Sequence, residues 1–122
     1  MKTVFTTFLV LNFLTETLAA ATLIGGPEGI AAAGSGGMWS MHYGFAALAI
    51  ASASVWVWRV RTDLGAVTAV LGVLLTFHSG LLISLALAGD QMAGVVIHAV
   101  LAALCLLVFT QRAKCCASSV ES

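Results

Sequence analysis

Residues 4–25 read VFTTFLVLNFLTETLAAATLIG. The run is long enough to cross a bilayer, which takes about 20 mostly apolar residues. It also carries Asn12 and Glu16 in its interior. A carboxylate near the middle of a membrane span costs at least ~2.5 kcal/mol unless something pairs or neutralises it. Read as a span, this stretch makes the chain a membrane protein and obliges the later segments to supply partners for Glu16. Read as a leader, it would leave three spans and no such obligation. Met1-Lys2, the apolar run and Leu18-Ala19-Ala20-Ala21 do resemble a signal peptide with a small-residue cleavage site. Asn12 and Glu16 interrupt that pattern, however, and the apolar stretch continues through Thr22-Leu23-Ile24. The segment is therefore expected to stay as a span.

The rest of the chain agrees. Of its 122 residues, 61% are hydrophobic and 8% charged, whereas a soluble domain carries about a quarter charged residues. Three further apolar segments follow, Trp39–Val60, Leu64–Gly89 and Gln91–Thr110. Each is apolar all round rather than along one stripe, which suits lipid or a bundle interior. The first link, 26–38, holds the Gly26-Pro27 turn signal and the flexible Gly34-Ser35-Gly36-Gly37, with Ile30-Ala31-Ala32-Ala33 between them as a possible short interfacial turn. The other links, Arg59–Asp63 and Gly89–Gln91, are short. Short links force neighbouring helices to run antiparallel. The expected fold is all-α: a polytopic membrane protein with an antiparallel four-transmembrane-helix bundle over residues 1–111 and a polar, frayed cytoplasmic tail over 112–122.

Charge sets the orientation. All five basic residues, Lys2, Arg59, Arg61, Arg112 and Lys114, belong to one side, and Glu28 and Asp90 lie on the other. Positive residues stay cytoplasmic, so both termini are expected inside, in a cytoplasmic-type membrane. Trp39 then marks the outer interface, and Trp56 and Trp58 the inner one. A net charge of zero with no basic stripe excludes nucleic acid as a partner. The expected partners are the bilayer itself and a second copy or a larger membrane complex.

The three histidines, His42, His78 and His98, fall in three different later segments. With a rise of ~1.5 Å per residue, Glu16 lies ~3 Å outward of the midplane, His78 within ~2 Å of it and His98 ~4 Å outward. His42 stands higher, ~10 Å above centre. Asn12 and Glu16 share a helix face by their i,i+4 spacing, and Tyr43 follows His42. Gly94, His98, Ala102 and Cys105 lie along one mostly small face of the fourth segment, which suits close helix packing. The cytoplasmic half is nearly all Leu, Val and Ala. The candidate ligand-binding residues are thus Asn12, Glu16, His42, Tyr43, His78 and His98, around an outward-facing pocket. Each histidine also has a plainer reading as interhelical hydrogen-bond glue, and His42 as a wet interfacial residue.

Several chemistries suit this set. Glu16, His42, His78 and His98 are sensible ligands for a transition metal such as Zn, Fe or Cu. His78 and His98, at similar depth, are the only pair placed to ligate haem axially. Glu and His chains also carry protons, although the apolar inner half argues against a complete path. A Glu–His acid/base pair acting on a lipid-soluble substrate would make the chain a membrane-embedded isomerase or oxidoreductase. A small ligand in the pocket, or a non-catalytic accessory subunit with glue histidines, are the remaining readings. No phosphate loop, nucleophile elbow or H-E-x-x-H motif is present. Cys115-Cys116, beside Arg112 and Lys114, suits reversible acylation, a soft-metal relay or two inert thiols.

The Gly25-Gly26-Pro27-Glu28 loop, the entry His42-Tyr43-Gly44-Phe45-Ala46-Ala47-Leu48 into the second segment and the short polar third link give the chain a familiar layout. In length, span number and hydropathy it resembles the small bacterial DoxX-like membrane proteins and allied uncharacterised four-helix families. The resemblance covers most of the chain as architecture. It implies a four-helix inner-membrane fold and carries no catalytic residues with it.

Overall fold

A computed structural model describes residues 1–27, 39–89 and 91–116. They form five helices: α1 (Lys2–Gly25), α2 (Trp39–Arg59), α3 (Leu64–Ala88), α4 (Met92–Thr110) and the short α5 (Arg112–Cys116). No strand occurs among the described residues. The first four helices are long and apolar enough to cross a membrane. The shortest of them, α4 with 19 residues, is ~28 Å long at ~1.5 Å per residue, close to a hydrocarbon core of ~30 Å. Glu28, Asp90, the Ile30–Ala33 turn and the Gly34–Gly37 run lie outside the described residues.

Local chemistry explains the helix ends. Asp63 caps α3, its Oδ1 accepting from the Ala66 backbone N–H at 2.7 Å, which satisfies one of the helix's orphan donors. Gly89 ends α3 in the left-handed conformation, φ 76°, and its N–H donates to Leu85 O. Only glycine takes that conformation without strain. The segment after α4 differs from the frayed tail expected of it. Residues 112–116 are helical and Cys115 is buried. The reason is Arg112, whose Nε donates to Thr68 Oγ1 of α3 at 2.9 Å and whose Nη1 donates to Phe109 O at 2.8 Å. One guanidinium thus caps α4 and ties the turn to α3.

The chain divides into two compact units, one formed by Met1–Phe8 with Val57–Ser122, the other by Leu9–Trp56. In the first, α3 packs on α4 and α5. The buried residues of α3 are Val67, Leu71, Leu74 and His78. Those of α4 are His98, Leu101, Cys105 and Val108. Both sets step by three and four residues, the spacing of a coiled-coil seam. The seam is pinned by side chains. His78 meets His98, and Cys105 Sγ donates to Leu71 O at 3.4 Å. Gly94 and Ala102, expected on the same face as His98, lie at its half-buried margins.

In the second unit the buried residues of α2 are small: Gly44, Ala47, Ala51 and Ser54. Small side chains let helix backbones approach closely. Gly44 shows how closely, for a Cβ there would stand 2.5 Å from Ile24 Cγ1 and 3.2 Å from the Ile24 backbone nitrogen. Ser40 Oγ adds a hydrogen bond to Leu23 O at 3.1 Å. The outward faces of all four long helices carry large apolar side chains, among them Leu14, Leu18, Trp56, Ile83, Leu87 and Met92.

Gly44→Ala is expected to destabilise the protein by about 1–3 kcal/mol, the usual effect of overpacking. Gly80→Ala, where an added Cβ meets nothing within 4 Å, should be neutral or stabilise by up to ~1 kcal/mol, as glycine-to-alanine does in a helix interior. Thermal unfolding in detergent of the two variants beside wild type checks both.

Candidate functional site

The first unit holds the histidine pair. His78 and His98 are both buried, and their Nδ1 atoms approach to 3.1 Å. The rings are tilted by 31° with centroids 5.3 Å apart. Phe77 meets both rings edge-on, at 5.4 Å from His78 and 6.3 Å from His98. Phe8 meets His78 edge-on from α1 at 6.4 Å. The aromatic edges keep water from the pair and hold the rings in place. Between neutral imidazoles a single Nδ1–H···Nδ1 hydrogen bond forms, so one ring donates and the other accepts.

The distance bears on the chemistry. Two nitrogen ligands on a tetrahedral metal, with bonds of ~2.05 Å, stand about 3.3 Å apart. The observed 3.1 Å is close to that edge, and both nitrogens aim at one another's side of the gap. Axial ligands on opposite sides of a haem iron would stand about 4 Å apart with the macrocycle between them. The 3.1 Å separation is nearer the first of these two distances than the second.

The second unit holds the polar face of α1. Asn12 and Glu16 are buried, one turn apart. Asn12 Nδ2 donates to Ser54 Oγ at 2.8 Å and to Ile50 O at 3.2 Å. Ser54 was not evident from sequence as Asn12's partner. Its signal was its place on the small-residue stripe Gly44, Ala47, Ala51, Ser54. His42 and Tyr43 are exposed, and His42 meets Trp39 edge-on at 6.2 Å. Two residues before Gly44, His42 is turned by about 200° from the buried stripe at 100° per residue. Glu16, His78 and His98 are thus buried donors of the kinds that could hold a metal ion.

The thiols stand apart from this set in burial and reactivity. Cys105 lies buried on the α3–α4 seam. Cys115 is buried, and Cys116 is half-exposed. Burial pushes the Cys115 thiol up, and the neighbouring Cys116 adds to it; burial also raises Cys116, with the Asp63 carboxylate adding its field. A raised thiol carries little nucleophilic thiolate at neutral pH.

The chain matches no protein-family model, no curated protein and no solved structure.

The Asn12–Ser54 contact is tested by a double-mutant cycle with Asn12→Ala and Ser54→Ala. A coupling of about 0.5–2 kcal/mol is expected, the range of interhelical hydrogen bonds in membrane proteins, and a coupling near zero would mean that the two side chains act separately.

Proposed function

We propose that the chain is a multi-pass membrane protein of the cytoplasmic-type membrane, an antiparallel four-span bundle with both termini inside, in which His78, His98 and Glu16 bind a transition-metal ion. The observation that carries this reading is the buried approach of the two Nδ1 atoms to 3.1 Å. Glu16 joins the set on three grounds. It is buried, it supplies the anionic oxygen that two neutral imidazoles lack, and its depth along the first span matches theirs to within a few Å by helix rise. Two imidazoles and a carboxylate suit zinc or ferrous iron. His42 and Tyr43 are exposed on α2 and are left out of the ligand set.

A second reading has its own observation. The His78–His98 hydrogen bond is complete without any ion, so it could serve as glue within an accessory subunit of a larger complex. Metal content separates the two. Detergent-purified wild type grown in metal-replete medium is expected to hold about one ion per chain at high affinity. His78→Ala and His98→Ala should fall to background, and Glu16→Gln should bind at least ~10-fold more weakly. Metal-free wild type, destabilised by the histidine substitutions alone, would favour glue.

Orientation has a separate test. A membrane-impermeant thiol reagent applied to intact cells is expected to miss Cys116 and to modify a cysteine placed at Ser35. The opposite pattern would reverse the assignment.

A further inference from the structure

The first unit gathers the chain's basic residues at one end. Lys2 begins α1, Arg59 ends α2, Arg61 lies in the following link, and Arg112 and Lys114 lie on α5. Three contacts bring these segments together. Arg112 bonds Thr68 near the start of α3, α5 packs on α3, and the Cys115 thiol lies 3.9 Å from the Met1 carbonyl. The described carboxylate at this end is Asp63, and it is already committed to capping α3 through the Ala66 N–H. Among the described residues no basic side chain forms an ion pair. Among the described residues, five basic side chains therefore stand against one carboxylate at this end.

The guanidiniums are held in place. Arg61 lies over the Trp58 ring at 5.1 Å and donates to Trp58 O at 2.8 Å. Arg112 lies over Phe109 at 4.7 Å while donating to Phe109 O and Thr68. Stacking on an aromatic face fixes a guanidinium's plane and leaves its remaining N–H donors for an outside acceptor. Lys2, Arg59, Arg61 and Lys114 are exposed, and Trp56 and Trp58 beside them expose apolar rings. An aromatic-flanked cationic rim at the end of apolar helices matches one kind of molecule, with a negative phosphate and acyl chains below it.

We propose that this end is a binding surface for anionic phospholipid, its headgroup phosphate held by Arg59, Arg61 and Lys114 and its acyl chains against the exposed apolar faces of the helices. The surface is independent of the histidine site and requires only that the helices sit in lipid. Each basic residue near an anionic membrane surface is worth about 5-fold in binding, so loss of three should weaken it roughly 100-fold.

The test uses the full chain in mild detergent, with native mass spectrometry counting bound lipid during titration with phosphatidylglycerol or phosphatidylcholine. Wild type is expected to retain phosphatidylglycerol in preference. Arg59→Gln/Arg61→Gln/Lys114→Gln should lose that preference while still reconstituting into neutral phosphatidylcholine vesicles, which shows the variant folded and inserted. Excess inorganic phosphate should leave the lipid count unchanged. Equal retention of the two lipids by wild type, undiminished phosphatidylglycerol binding by the triple variant, or displacement by free phosphate would each overturn the proposal. A wild-type chain that failed to enter neutral vesicles would overturn the membrane reading beneath it.

Discussion

Deep in lipid, a polar side chain that its own helix cannot satisfy has to face protein, because lipid offers it no hydrogen-bonding partner. The contact between His78 and His98 is where this constraint acts most directly. Neither ring can turn outward without losing its partner, so the rotation of α3 about its axis fixes that of α4. Val67, Leu71 and Leu74 then fall on the same side as His78, and Leu101, Cys105 and Val108 on the same side as His98. The Asn12–Ser54 bond does the same for α1 and α2 within their own unit. Each long helix carries at least one polar residue on its buried stripe, and these residues decide which way the helix faces.

This explains which features were legible beforehand. Span boundaries depend on composition, and composition is in the sequence. The expected segments 39–60, 64–89 and 91–110 differ from α2, α3 and α4 by a single residue at any end. Rotation was not legible. A helix apolar on all sides has almost no amphipathic signal, so position alone could not separate His42, which is exposed, from His78, which is buried. The missing information lay in residue size. Gly44, Ala47, Ala51 and Ser54 mark the close-packed face of α2, and His42 lies nearly opposite. The helical turn at Arg112–Cys116 was missed for a related reason. A polar tail gives no periodicity to read, and its long-range contacts, Arg112 with Thr68 and Cys115 with the Met1 carbonyl, are not visible in local sequence.

The two units reach stability by different packing. Along α3 and α4 the seam is filled with large side chains, Leu71, Leu74 and Leu101, around two rings and a thiol. Along α2 it is nearly bare, and the backbone itself comes into contact at Gly44. Lipid solvates leucine about as well as a protein interior does, so burying it adds little drive to associate in a membrane. What remains is van der Waals fit and the few hydrogen bonds. In a membrane that would place unusual weight on the Asn12–Ser54 bond in one unit and the His78–His98 contact in the other.

The same pair can be both fastener and ligand because the two states differ by so little. As a hydrogen bond, one ring carries its proton on Nδ1 and the other on Nε2. As ligands, both rings carry it on Nε2 and both Nδ1 lone pairs are free for an ion. The change is one tautomer shift within one ring, with no charge gained by the imidazoles and a separation that needs to grow only from 3.1 Å to about 3.3 Å.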